Sequence, residues 1–453
     1  MARISTEASP ARDNRTLLLE LFEAAVAAAA PEAATTRAVD ALRLDAKARI
    51  RIFAFGKAAR PMAGAAAQTL LRSMHTIVGG VLVSPEGGAA PYPTLVSVRG
   101  DHPIPGRHSF ASATKIAEVA SGRRGQDVAV VLISGGTSSL IAAPLRGMSD
   151  ADLIGLFELL LGSGLDIAAM NAVRKRFSRW SAGRLALALA PATIHCLAIS
   201  DVAGDDLGVI GSGPCVPDPT TVRDVSAILQ RANLLTRIPQ TYREHLSAVS
   251  NGTIPETPKA AHPAFAHVTA RVIGNNHMAV EGVAAAARGM GLTVRIVDTW
   301  LGGEAAAAGE AVARELLSVH RDQAGAAADK PTCVVWGGET TVTLSAGANG
   351  GSPSGGGRCQ ELALAAARVL HEAGDAAAGV TILAAGTDGR DGATDAAGAI
   401  VGSTTWSAIA GAGRDPAHAL TSHESNGALR AAGALIPRRE TGTNVNDVVI
   451  GVV

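Results

Sequence analysis

The chain has 453 residues, too many for one ordinary hydrophobic core, so two domains are the default expectation. It is 47% hydrophobic and 18% charged, and its 40 basic residues match its 40 acidic ones. That balance suits a soluble globular protein and excludes a global basic field for nucleic acid or anionic membrane.

Asn14 or Thr16 can cap a first helix that runs to Pro31. Glu20 and Glu23 interrupt its apolar residues, so it lacks the continuous core of a signal peptide. No stretch of about 18 uncharged apolar residues occurs anywhere, so no membrane span is expected. Residues 50–55 read as a strand that breaks at Gly56-Lys57 into an Ala-rich helix. The turn is not a Walker loop, because Arg51 and Ala58 stand where that motif needs Gly and Ser/Thr. Lys57 nevertheless sits between a strand end and a helix start, a place that favours anions. A second strand is expected at 77–83 and a third at 95–98, the latter leading into Asp101 and His102 beside two stiffening prolines.

Residues 128–133, VAVVLI, have the β-branched content of a strand buried on both faces of a parallel sheet. They end in Ser134-Gly135-Gly136-Thr137-Ser138, where paired glycines expose backbone amides and the hydroxyls add donors. That combination is an anion nest suited to phosphate. Residues 170–190 read as one helix with basic residues on several faces, solvated rather than bound to a nucleotide. The strand at 193–199 then breaks into Ser200-Asp201, the pair Asp205-Asp206 and a Gly/Pro-rich loop at 211–219. Carboxylates just past a buried strand are where an open α/β sheet holds its ligands. Residues 217–263 read as a connector with small helices.

The second half restarts the alternation. Strands are expected at 266–273, 292–297, 332–336, 380–384 and 448–453. Asn275, Asp298, Glu339, Asp388 and Asp391 follow strand ends, and a glycine-rich loop at 347–357, long enough for a lid, delivers Arg358 into a helix. The predicted class is α/β, two Rossmann-like domains at 1–255 and 256–453, each a mainly parallel sheet flanked by helices. The four cysteines, Cys196, Cys215, Cys333 and Cys359, show neither CxxC nor Cys/His spacing. They read as small core hydrophobes of a reducing cytoplasmic compartment.

Collected, the strand ends supply one lysine, a glycine/hydroxyl nest, several carboxylates and an arginine on a glycine-rich loop. This is the inventory of phosphoryl transfer, which needs positioning and charge neutralisation more than covalent chemistry. No GxGxxG with a following acidic residue supports a dehydrogenase, no ligand-spaced histidines support a zinc hydrolase, and no GxSxG supports a serine hydrolase.

Six blocks, SGGTSSL, AISDVAGDDLGVIGSGPCVPDPTT, WGGETTVTL, GGRCQELALA, AAGTDGRDGATDAAGA and TGTNVNDV, closely resemble segments of the class II glycerate kinases, glycerate 2-kinases with a C-terminal MOFRL domain. The resemblance runs from FGKAA to TGTNVND. It implies ATP- and Mg²⁺-dependent phosphorylation of D-glycerate at its 2-hydroxyl, in a cleft between two α/β domains. It also implies that Lys57 and Arg358 are catalytic. On this reading Lys57 neutralises the transferring phosphoryl or the glycerate carboxylate, and Ser134, Gly135, Gly136, Thr137 and Ser138 cradle nucleotide phosphates. Asp201 is a base or metal ligand, with Asp388 and Asp391 competing for the metal. Asp101, Asn275, Glu339, Asn444 and Asn446 are candidates for substrate contact. Where the family commonly has SGGGSAL and GGRNQE, this chain places Thr137 and Cys359. The expected partners are ATP and D-glycerate alone, with no nucleic acid or membrane, for a monomer or homodimer. The competing readings are an NAD(P)H-dependent hydroxypyruvate reductase, a label this family has often carried, and a non-catalytic sugar-phosphate-binding protein.

Overall fold

The computed structural model describes residues 13–122, 127–326, 330–344 and 355–453. The lid read at 347–357 therefore lies outside the described residues as far as 354. The chain folds as two compact units, one formed by Ala30–Asn275 and the other joining the N-terminal helix Asn14–Ala28 to Asn276–Val453. The division lies beyond the 255/256 point read from the sequence because the strand Val268–Gly274 completes the first sheet.

In the first unit six strands form one sheet: β1 (Arg49–Phe55), β2 (Thr76–Ser84), β3 (Leu95–Arg99), β4 (Asp127–Ile133), β5 (Thr193–Ile199) and β6 (Val268–Gly274). Their order is β3-β2-β1-β4-β5-β6 and every pairing is parallel. Strand β4 is buried along its whole length, as its β-branched run requires. This is the doubly wound order, and it reverses between β1 and β4. In a sheet of this order ligands bind beyond the C-terminal ends of the two strands that flank the reversal. Lys57 and Ser134 follow those two ends directly.

The basic stretch at 170–190 is not one helix, and apart from Arg179 its cations are not solvated. It breaks into helices Ile167–Phe177 and Arg184–Leu189, with left-handed Ala182 and Gly183 between them. Arg174, Lys175 and Arg176 are buried. Lys175 pairs with Asp218 at 2.8 Å and Arg176 with Glu256 at 2.5 Å. The Arg184 guanidinium donates to the carbonyls of Lys175 at 2.8 Å and Arg176 at 3.0 Å. Burial, with repulsion from Arg176, lowers Arg184 to about 10. These cations serve as structural ties between helix ends and the segment 218–256, which a sequence shows only as charge.

In the second unit the strands are β7 (Thr293–Leu301), β8 (Thr332–Gly338), β9 (Thr381–Gly386), β10 (Ala396–Gly402), β11 (Leu435–Pro437) and β12 (Asp447–Val452). Their order is β11-β10-β9-β12-β8-β7. The expectation of a mainly parallel sheet fails here, since only β7 and β8 pair in parallel. Residues 387–395 are too few for a crossover helix, so β10 folds back on β9. The terminal strand β12 then inserts between β8 and β9, antiparallel to both.

Two helix contacts in this unit depend on missing side chains. Gly309 of helix Ala305–Ala326 lies against the Leu362 carbonyl of helix Arg358–Glu372 so closely that a Cβ would collide with it. Gly282 of helix Asn276–Gly289 is similarly pressed onto Ala24 and Ala28 of the N-terminal helix. Asn14 does not cap that helix. Its Nδ2 donates instead to Gly379 O at 3.0 Å and Thr381 Oγ1 at 3.1 Å, fixing the helix to the second unit. Among the described residues no helix is long and apolar enough to cross a membrane.

Candidate active site

At the first unit's switch point, β1 and β4 end in interlocked turns. Gly56 adopts a φ of +120° with its Cα against Ser134, where a Cβ would stand 2.6 Å from the Ser134 carbonyl oxygen. Only glycine satisfies both the angle and the space. The Lys57 amide then donates to Gly135 O at 2.9 Å, and the Ala58 amide donates to Ser134 Oγ at 3.0 Å. The Lys57 side chain is exposed beyond this turn.

The nest read at 134–138 is narrower than its sequence suggests. Ser134 and Thr137 are fully buried, and both hydroxyls donate back to Phe55 O, at 3.3 and 2.9 Å. They lock β4 to β1 rather than face a ligand. Ser138 Oγ shares a 2.7 Å hydrogen bond with Ser212 Oγ, and the helix that follows the glycines is a single turn, Thr137–Leu140. What the turn offers outward is the backbone. The amides of Gly135 and Gly136 have no hydrogen-bond partner among the described residues. Gly136 is left-handed, with a φ of +86°.

Asp201, just beyond β5, places a carboxylate oxygen against the Cα of Gly135, leaving no room there for a Cβ. His102, in the loop after β3, lays its ring over Gly136, where a Cβ would come within 3.0 Å of Cδ2. Its surroundings desolvate the ring even though an edge is exposed, and the Lys57 charge adds to the effect. Together they push the imidazole down to about 4, so it is neutral at physiological pH. Asp101 is engaged elsewhere. Its carboxylate accepts from the His108 amide at 2.9 Å and the Ser109 amide at 3.3 Å, capping helix Arg107–Ser121, and meets His108 Nδ1 at 2.9 Å. The contacts with His108 and Ser109 hold its pKa below the usual carboxylate value despite the cost of burial. Asn275 donates to Asp205 Oδ2 at 2.5 Å, and Asp205 takes a left-handed φ of +56°.

A second cluster lies in the other unit, at the C-terminal ends of β8 and β9 and the start of β12. Arg358 opens helix Arg358–Glu372 and is gripped by two carboxylates. Its Nε and Nη2 donate to the two oxygens of Asp447 at 2.6 and 2.9 Å, and its Nη1 donates to Glu339 Oε1 at 2.7 Å. Glu339 Oε2 in turn accepts from Asn446 Nδ2 at 2.8 Å. Burial pushes Asp447 up to about 6, although Arg358 pulls the other way. Burial would lower Arg358, but the Asp447 contacts outweigh it and hold the guanidinium above its ordinary value. Asn446 is left-handed, with a φ of 66°, and its carbonyl accepts from the Thr387 amide at 3.0 Å. Asn444 Oδ1 accepts from the Asn446 amide at 3.4 Å.

The two aspartates after β9 differ. Asp391, read as a metal ligand, is buried with its oxygens on the amides of Cys359 and Gln360 at 3.1 and 2.8 Å and on Gln360 Nε2 at 2.9 Å. It caps the helix that carries Arg358. Asp388 is partly exposed and, among the described residues, accepts only its local Arg390 amide, at 3.0 Å. A cleft of about 890 Å³ is lined by Arg358, Glu361, Asp388, Arg390 and His423 among others. Asp447 and His102 are absent from the sequence-based set of site residues. The sequence shows His102 only as the neighbour of Asp101 in a proline-stiffened loop, and the role of Asp447 depends on where β12 inserts.

The MOFRL family matches residues 332–447, and a family described as a domain of unknown function, DUF4147, matches residues 17–247. The glycerate 2-kinase of Pyrococcus horikoshii is 34% identical, over 98% of this chain and 98% of its own length. The chain belongs to the glycerate 2-kinase family. A relative in the same similarity range, from Agrobacterium vitis, is named a putative hydroxypyruvate reductase and is 37% identical over 96% of this chain and 93% of its own. The crystal structure of a Thermotoga maritima glycerate kinase superposes with a TM-score of 0.82 at 33% identity, covering 97% of this chain and 99% of that one. Lys57 falls in the stretch matched by DUF4147 and Arg358 in the MOFRL stretch, one in each unit.

Proposed function

We propose that this protein transfers the γ-phosphoryl group of ATP to the 2-hydroxyl of D-glycerate, giving 2-phosphoglycerate and ADP. The observation that carries this reading is the switch point of the first sheet. Two glycine amides without a hydrogen-bond partner among the described residues, an exposed lysine and a carboxylate converge there, at the place where doubly wound sheets bind their ligands. Gly135 and Gly136 bind phosphate oxygens through their amides, with Ser138 at the edge. Lys57 neutralises charge on the phosphoryl group or the substrate carboxylate. In the second unit Arg358, held flat by Asp447 and Glu339, presents a fixed guanidinium to anionic oxygens. Asn444, Asn446 and Glu339 frame the Arg358 side, while Asn275 acts through Asp205 and Asp101 through its helix cap.

Among the described residues no three His, Cys, Asp or Glu side chains gather into a metal site. A magnesium ion on a nucleotide needs less, because phosphate and water oxygens complete its shell around one or two carboxylates. Asp201, beside the phosphate-binding glycines, fits that requirement and is the ligand we assign, with Asp388 as the candidate in the second unit. The ion would offset charge on the phosphoryl oxygens. Asp391 is assigned to capping the helix, not to the metal.

The turn after β1 carries one glycine and a lysine in place of a dinucleotide fingerprint, which disfavours the reductase reading. The buried, unpaired cysteines support a cytoplasmic enzyme, which we expect to act as a monomer or homodimer on free small molecules. A coupled assay tests the reading. ADP should appear with ATP, Mg²⁺ and D-glycerate, and NADH or NADPH absorbance should stay constant with hydroxypyruvate. The opposite pair of results rejects it.

A further inference from the structure

An alcohol that is being phosphorylated needs somewhere to direct its hydrogen, and the switch-point groups differ in what they offer. The Lys57 ammonium and the amides of Gly135 and Gly136 only donate. Ser138 Oγ is shared with Ser212 Oγ. Asp201 can accept too, but it is the carboxylate assigned above to the magnesium ion. Among the groups named at this turn, His102 is a neutral acceptor with no assignment yet. Its ring rests over Gly136, with Nε2 3.4 Å from where a Cβ would be. Neither ring nitrogen has a hydrogen-bond partner among the described residues. Of the nearby sheet and loop histidines, His108 is committed to Asp101 and His195 to Thr269.

Resting on the phosphotransferase reading, we propose that His102 accepts a hydrogen bond from the acceptor hydroxyl and holds that oxygen toward the phosphoryl group. A neutral imidazole presents one lone pair and no negative charge, so it can orient the alcohol without repelling the phosphate beside it. Burial and the Lys57 charge keep it in that neutral form at physiological pH.

The test compares full-length wild type with His102→Leu, His102→Ala and His102→Gln in steady-state ADP release, with thermal melts as a check on folding. His102→Leu keeps bulk over Gly136 but no acceptor, whereas Gln restores one. The Leu and Ala variants should lose about 10²-fold in kcat while KM for ATP stays within roughly threefold. His102→Gln should recover at least about a tenth of wild-type kcat. A His102→Leu enzyme with near-normal kcat would mean the ring only packs on Gly136, and would overturn the proposal while leaving the kinase reading intact. Equal losses in folded Leu and Gln variants would also overturn it. A wild type without ATP-dependent turnover of D-glycerate removes the parent reading and this proposal together.

Discussion

Among the described residues Lys57 is tied to the fold only by its backbone, through the Gly135 carbonyl, and its side chain is exposed. Lys57→Ala should therefore leave the melting temperature nearly unchanged while kcat/KM falls by about 10²-fold or more, the scale of losing one charge-stabilising group. A variant with near-normal turnover removes the lysine from the mechanism. Gly135 makes a complementary case, because a methyl there would push the Asp201 carboxylate away. Gly135→Ala should reduce ATP turnover at least about tenfold, with circular dichroism confirming an intact fold. Asp447 tests the second unit. Burial raises its pKa from 3.8 to about 6, so the folded chain keeps this proton at pH values where the unfolded chain has lost it. Its favourable contribution is complete below about pH 4 and is lost as the pH rises through 6. Asp447→Asn should flatten that part of the stability–pH curve, and parallel curves for the two proteins between pH 4 and 6 would contradict the assignment.

Among elements, the contact of helix Ala305–Ala326 with helix Arg358–Glu372 bears on function because the latter carries Arg358. Gly309→Ala should force them apart at Leu362 and cost about 1–3 kcal/mol, read from the urea midpoint. An unchanged midpoint would show that the contact yields freely. The same scale explains what a linear reading recovers. Strands β1, β4 and β5 declare themselves as short apolar runs, β-branched in β4, that break into glycine- or aspartate-bearing turns. Strand β10, AAGAIVG, is mostly alanine and glycine and resembles a loop. Without it, the alternation suggests a second parallel sheet. The hydroxyls of Ser134 and Thr137 suit phosphate equally well on paper. Only the three-dimensional turn shows them directed at the Phe55 carbonyl.

Across the whole molecule, both units are α/β, and the chain matches glycerate 2-kinases over nearly its full length. The motif blocks that carry the resemblance are the strand-end loops of these two sheets, which is why function is more legible than topology. The insertion of β12 leaves no local trace. The reaction itself offers the most direct test: ³¹P NMR of the products formed from ATP, Mg²⁺ and D-glycerate by the full-length protein. The account predicts 2-phosphoglycerate and ADP in equal amounts. Formation of 3-phosphoglycerate, or a spectrum in which ATP remains unconsumed, would contradict it.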